Sequence, residues 1–289
     1  MAESVPVTEV ATIDGRRIEY RLARPPAPSA DGRLAVVLHG GHMSASCRFG
    51  EDVYLDAGFA VLVVSRPGYG RTEVAAGPSV PEFVPRLAAL IRTLDVSAPA
   101  VAVGISIGAR SALTLAAYAP DLVEKVILIS PVSFEPWPSR RLRRIARAVF
   151  RPSTQTLTWG IVHAMLRRDP ERALPRLITS LSTLPGDEAV RRLGSDADAA
   201  AEFLLACRSA AGFAQDLHPP TDVTADVRQP VLILATRLDA AVGYDDHPAR
   251  LALTLAGARL TDTESPSHLI WLGDRASAAA EEIVRFVRS

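Results

Sequence analysis

Residues 101–110 read VAVGISIGAR: an apolar run stops at Gly104, Ser106 stands between two isoleucines, and Gly108 follows. A chain that leaves a strand and enters a helix within so few residues must bend sharply at the serine. Small neighbours leave room for that bend, and the hydroxyl is pushed out beyond the sheet edge. Such a serine is placed to act as a nucleophile, but a hydroxyl alone is a poor one near neutral pH. It needs a base to take its proton and an acid to orient that base. The N–H of Ile107 falls at the start of the next helix, where unpaired donors and the helix dipole favour developing negative charge. The alternative is a glycine-flanked strand-to-helix turn with an idle serine. The functional reading requires a strand before the motif and a helix after it, and residues 109–118 are helix-like.

The elbow needs a sheet to stand on. Residues 7–13 and 16–22 alternate as two strands, with Asp14-Gly15 as a hairpin turn between them. Continuous apolar runs at 34–38, 59–64, 101–103, 126–129 and 231–234 predict strands buried on both faces, and 259–261 begins another. Helices are predicted over 46–57, 82–94, 109–118, 247–255 and 275–287, and residues 24–29 read as a loop. The alternation predicts an α/β protein with a mostly parallel sheet flanked by helices. Between 133 and 220 the pattern changes to arginine-rich amphipathic segments at 140–150, 156–168, 171–181, 187–193 and 197–214. Ser195 and Asp198 suit a capping box for the last of these. Pro136, Pro138, Pro152, Pro219 and Pro220 bracket the region. It is read as an all-helical cap, 133–220, inserted into a core made of 1–132 and 221–289.

A chain of 289 residues, 48% of them hydrophobic, can bury one large core with an insertion. Lys+Arg and Asp+Glu both number 32, so net charge favours no nucleic-acid partner. The basic residues are nearly all arginine, Lys125 being the lone lysine. Cys47 and Cys207 are too few for a disulfide framework and fit buried thiols. Residues 1–10 lack a basic stretch followed by an apolar one, and no apolar run approaches the ~20 residues that span a bilayer. A soluble, cytoplasmic protein without a membrane span is expected, with its oligomeric state left open.

In open parallel sheets, functional groups collect beyond the carboxyl ends of the strands. Asp239 follows one predicted strand, and His268 lies in the loop after the last. Each is ambiguous alone, as a turn residue and a loop histidine. With Ser106 they complete a nucleophile, base and orienting acid. Residues 39–42, His-Gly-Gly-His, end another strand, and the N–H of Gly41 can pair with that of Ile107 as an oxyanion site. His39 reads as a structural histidine under that loop, and residues 66–71 as a turn that buttresses it. Asp245 and Asp246 read as caps of the following helix, His247 as a surface residue in that cap, and His218 as linker.

Taken together, H-G-G at 39–41, R-P-G-Y-G at 66–70, G-I-S-I-G at 104–108, L-D at 238–239 and S-H-L at 267–268 resemble the α/β-hydrolase superfamily. The resemblance covers nearly the whole chain and is weakest over the cap. It implies the α/β-hydrolase fold, with Ser106 as nucleophile, His268 as general base and acid, and Asp239 orienting His268. Gly41 and Ile107 would supply the oxyanion N–H groups, with no cofactor and no metal. Ser106 argues against dehalogenases and epoxide hydrolases, whose nucleophile is an aspartate. The residues after the glycine loop, 43–46, differ from those of carbon–carbon bond hydrolases.

The cap would control entry. Trp137, Leu157, Trp159, Met165, Phe203 and Phe213 can roof an apolar cleft or form the cap's own core. His42, Trp159, His163 and Phe213 are the candidate substrate-binding residues. Arg140, Arg141, Arg143, Arg144 and Arg147 fit a solvated helix face. The expected substrate is a small-molecule carboxylic ester, thioester or lactone with an apolar part. Two alternatives stay open: a non-hydrolytic member (acyltransferase, cyclase or lyase), or a ligand-binding protein with a vestigial triad.

Overall fold

The computed structural model describes residues 6–26, 32–77, 79–94, 99–150 and 153–289. Residues 27–29 of the expected loop and Pro152 lie outside the described residues. Strands β1 (Glu9–Ile13) and β2 (Arg16–Ala23) form an antiparallel hairpin. Asp14 and Gly15 both have positive φ, 49° and 73°, as a two-residue turn of that hand requires. The remaining strands are β3 (Leu34–Leu38), β4 (Ala60–Val64), β5 (Ala100–Ile105), β6 (Val123–Ile129), β7 (Val231–Ala235) and β8 (Arg259–Asp262). They build one 8-stranded sheet in the order β1-β2-β4-β3-β5-β6-β7-β8. Every pairing from β4 through β8 is parallel.

Every residue of β3, β4, β5 and β7 is buried, which is why these strands read as unbroken apolar runs. Alternate side chains serve opposite faces. Leu34, Val36 and Leu38 pack toward the helices Ser79–Thr93 and Ala109–Tyr118. Ala35 and Val37 pack toward Ile283, Phe286 and Val287 of the final helix, Ala276–Arg288. The chain turns back at β3, which lies between β4 and β5, so the loops after β3 and β5 meet at a switch point of the sheet.

Between β6 and β7 run the helices Arg140–Val149, Gln155–Arg168, Pro170–Ile178, Gly186–Leu193, Ala197–Ala206 and Gly212–Asp216. The four from Gln155–Arg168 to Ala197–Ala206 share a core of their own, including Leu166, Leu174, Ile178 and Leu204, that also takes in Leu269 and Leu272 from the loop after β8. The single helix expected over 197–214 is broken: Cys207 is extended, and the Arg208 N–H donates to His42 O at 2.7 Å. The Ser195 and Asp198 capping box does not form. Residues 194–196 make a 3₁₀ turn, and Asp196 Oδ2 accepts from the Gly273 N–H at 2.8 Å. The helix expected over 46–57 is only Asp52–Asp56, because Arg21 holds the preceding loop by the carbonyls of Ala45 and Cys47. Neither Asp245 nor Asp246 caps the helix Pro248–Thr254; its N-cap is His247, with no side-chain bond. Among the described residues no helix is long and apolar enough to cross a membrane.

The elbow tolerates no side chain at its glycines. A Cβ on Gly108 would lie 2.0 Å from Leu38 O and 2.5 Å from His39 O, and one on Gly104 would lie 2.5 Å from Ala109 Cα. These are backbone atoms, so no side-chain rotation relieves the overlap. Gly108→Ala is expected to lower stability by about 3 kcal/mol. A urea unfolding curve reads this, and an unchanged midpoint would contradict the packing described.

Candidate active site

β5 ends at Ile105, and Ser106–Gly108 forms a 3₁₀ turn that continues as the helix Ala109–Tyr118. Ser106 has φ of 52°, a left-handed conformation that costs a non-glycine residue about 1–3 kcal/mol. The surroundings hold it there: its carbonyl accepts from the Val132 N–H at 3.0 Å. The loop after β3 runs alongside. A Cβ on Gly40 would lie 3.2 Å from Ser106 Cβ, and one on Gly41 would lie 4.0 Å from Ile107 Cγ2. The Ile107 N–H lies in a first helical turn, where no intrahelical acceptor exists. The Gly41 N–H donates to no backbone carbonyl among the described residues.

Asp239 follows β7 and is buried. Its Oδ1 accepts from the N–H groups of Ala241 (2.7 Å) and Val242 (2.9 Å), and its Oδ2 from His268 Nδ1 at 2.5 Å. Since the carboxylate only accepts, Nδ1 carries the proton, and in the neutral ring Nε2 keeps a free lone pair. The His268 backbone is tied on both sides: its N–H donates to Leu181 O at 2.8 Å, and its carbonyl accepts from Ser130 Oγ at 2.9 Å. The Thr183 N–H donates to Leu238 O at 2.8 Å, so residues 181–183 clasp both loops. Ser106, Asp239 and His268 thus stand at the same edge of the sheet. Among the described residues, neither Ser106 Oγ nor His268 Nε2 makes a hydrogen bond.

Beneath the glycine loop, His39 is fully buried and structural. Its Nδ1 donates to Gly40 O at 2.7 Å, and its Nε2 accepts from the Arg66 N–H at 3.0 Å. The Arg66 side chain donates to His39 O (2.7 Å) and Gly40 O (3.3 Å) and pairs with Asp216 at 2.6 and 2.8 Å. Burial works against the Arg66 charge, but Asp216 outweighs it and holds the guanidinium above its usual range. Asp216 and Arg110, both buried here, are not among the residues that the sequence singles out. The only signal for Asp216 is a lone carboxylate ending the apolar stretch GFAQDL.

The four candidate substrate-binding residues form one cluster. His42 stacks on Phe213, with ring centroids 4.1 Å apart, and meets Trp159 edge-on at 5.3 Å. His163 stacks behind Trp159 at 5.7 Å, where its Nε2 accepts from Arg208 at 2.8 Å. Trp159 Nε1 donates to Ser209 Oγ at 2.7 Å, which leaves the serine hydroxyl to donate to His42 Nδ1, also at 2.7 Å. His42 therefore carries its proton on Nε2, which has no partner among the described residues. Met165 and Phe203 belong instead to the core of the inserted helices, and Leu157 is 69% exposed. Trp137 packs between the Phe213 and Ile107 clusters. The helix Arg140–Val149 buries no residue, as a solvated face would. His218 is exposed beside Arg147, whereas His247 is not the surface residue expected. It is 5% exposed because its Nδ1 accepts the Ser133 hydroxyl at 2.9 Å.

A cavity of about 380 Å³ is lined by Gly77, Val80, Ile107, Arg110, Asp216 and Pro219 among others, and Ile107 is the one candidate residue it shares. A larger one of about 990 Å³ lies between the helices Asp52–Asp56 and Ala276–Arg288 and shares none of the candidate residues. Neither cavity has Ser106, Asp239 or His268 in its lining.

Comparison with known proteins agrees with this architecture. The model of the alpha/beta hydrolase family matches residues 35–284. An uncharacterized hydrolase of Bacillus subtilis, YcgS, is 28% identical over 288 residues, covering 97% of this chain and 98% of its own. An alpha/beta hydrolase fold protein from Nakamurella multipartita superposes with a TM-score of 0.76 at 18% identity, covering 98% of this chain and 99% of its own. The enol-lactonase from Burkholderia xenovorans LB400 superposes with a TM-score of 0.67 at 20% identity, over 97% of this chain and 100% of its own.

Burial pushes both His42 and His247 down from the ordinary 6.5 to about 4. His39 is also pushed well down, by burial and then by the Arg66 charge. Between these values the unfolded chain binds more protons than the native one, so stability falls as pH drops from 6.5 toward 4. A tenfold difference in proton affinity between the two states corresponds to about 1.4 kcal/mol. Urea unfolding at about pH 7.5 and pH 5 is expected to show a loss of about 2 kcal/mol or more on acidification. Equal stability at both would contradict the buried, neutral assignment.

Proposed function

The chain belongs to the alpha/beta hydrolase family, and we propose that it is a serine hydrolase. Its substrate is a small carboxylic ester, thioester or lactone with an apolar part, cleaved through an acyl-enzyme on Ser106. The observation that carries this reading is the 2.5 Å pairing of His268 Nδ1 with an Asp239 carboxylate whose other oxygen is already occupied. That arrangement sets the imidazole tautomer a base requires.

In the first step His268 Nε2 takes the hydroxyl proton as Ser106 Oγ attacks the carbonyl carbon. Asp239 stabilises the imidazolium, and the N–H groups of Gly41 and Ile107 receive the charge that grows on the carbonyl oxygen. The imidazolium returns its proton to the leaving alkoxide or thiolate as that bond breaks. Water then attacks the acyl carbon as His268 takes one of its protons, and the imidazolium returns that proton to Ser106 Oγ as the acyl–Oγ bond breaks and the carboxylic acid leaves. The contact of Ser106 Oγ with His268 Nε2 tightens as substrate seats, as such catalytic hydrogen bonds often do.

His42, Phe213 and Trp159 form the wall for the apolar part beside Gly41, and His163 backs Trp159. The neutral His42 adds an Nε2–H donor to that wall. Residues 133–220 act as the cap over it. The enol-lactonase with the same fold keeps a lactone within the substrate class.

A fluorophosphonate probe is expected to label the wild-type protein and not Ser106→Ala. p-Nitrophenyl esters of graded chain length should be hydrolysed, and Asp239→Asn should lower kcat by roughly 10⁴-fold. A folded wild-type protein that neither takes the probe nor turns over any ester would overturn the reading and favour a binding role.

A further inference from the structure

Gly40 O and the Gly41 N–H belong to one peptide unit, and a trans peptide points its C=O and N–H in opposite directions. Whatever grips the Gly40 carbonyl therefore aims the Gly41 N–H. Two groups grip it: His39 Nδ1 at 2.7 Å and Arg66 Nη2 at 3.3 Å. Arg66 Nε also holds the preceding carbonyl, His39 O, at 2.7 Å.

A guanidinium 2% exposed stays in place only with a counter-charge. Asp216 supplies it through two hydrogen bonds, and Tyr69 donates its hydroxyl to Asp216 Oδ2 at 2.5 Å. Asp216 lies 150 residues further along the chain, on the short helix Gly212–Asp216 of the inserted segment. Its backbone carbonyl accepts from Arg110 Nη1 at 3.1 Å, and Arg110 sits on the helix that begins at the elbow. One residue of the inserted segment thus reaches both loops that would form the oxyanion hole.

We propose that Asp216 is a positioning residue: through Arg66 it fixes the orientation of the Gly40–Gly41 peptide. The inserted helical segment must then be docked for the Gly41 N–H to face the reacting oxygen. This role rests on the serine-hydrolase reading and extends it to a residue that touches no substrate. A peptide free to rotate would still admit substrate but would stabilise the tetrahedral oxyanion less.

Asp216→Asn keeps the size of the side chain and removes its charge. Losing one oxyanion donor outright costs about 10²–10³ in rate, so a misaimed donor is expected to lower kcat about tenfold to a hundredfold. KM should change less than about threefold, because the ground-state carbonyl uses the donor less. Affinity for a trifluoromethyl ketone, which forms a tetrahedral oxyanion on Ser106, should fall by the same factor as kcat. General loosening of the fold would not make those two quantities track each other. Tyr69→Phe removes one hydrogen bond from Asp216 and leaves the ion pair, so it serves if Asp216→Asn does not fold; a loss in kcat of about threefold is expected. Folded variants with wild-type kcat and ketone affinity, or a loss confined to KM, would overturn the proposal. If the wild-type protein is itself inactive and unlabelled, the serine-hydrolase reading has failed instead.

Discussion

The contact between His268 Nδ1 and Asp239 Oδ2 is the interaction on which the rest of the site depends. A histidine in a loop is free to rotate and to exchange tautomers, and only a fixed acceptor removes both freedoms. Here the acceptor is itself fixed, because the N–H groups of Ala241 and Val242 occupy its other oxygen. Residues 181–183, far away in the chain, hold the Leu238 and His268 backbones at once. The inserted segment is thereby part of the scaffold that holds the histidine.

A second constraint is the burial of charge around the glycine loop. Arg66, Asp216 and Arg110 are all nearly inaccessible, and each satisfies backbone carbonyls or a partner charge. Burying such groups costs several kcal/mol per ion and is seldom recovered as net stability. Their effect is geometric. They hold irregular backbone at the switch point of the sheet, where regular hydrogen bonding has ended and a glycine-rich loop would otherwise sample many conformations. Burial pushes Arg110 down to about 10, which leaves it charged under ordinary conditions.

What can be read in the sequence follows from which forces are local. β3, β4, β5 and β7 are buried along their length and β6 over 126–129, so each shows as an apolar run, and Asp14-Gly15 announces its hairpin by turn chemistry alone. The elbow is legible because glycine is demanded at both flanks by backbone contacts. Arg66 is legible as part of the turn that buttresses the glycine loop, but its pairing with Asp216 is not, since a buried ion pair is defined by a partner 150 residues away and leaves no periodic trace. The break at Cys207 is hidden for the same reason: the segment 197–214 is helical in composition, and its interruption comes from pairing with His42. His247 looks exposed beside Asp245, Asp246 and Pro248, yet the Ser133 hydroxyl draws it inward.

The central claim is that Ser106, His268 and Asp239 work together in the reaction proposed, and the imidazole proton between His268 and Asp239 reports on it directly. Proton NMR of the wild-type protein should show a far-downfield N–H resonance that disappears in Asp239→Asn. Covalent phosphonylation of Ser106 should shift that resonance further, because a charged or bulky group on Oγ would then sit against His268 Nε2. A downfield proton that ignores modification of Ser106, in a protein shown to be modified there, would mean that the serine and the histidine do not work together.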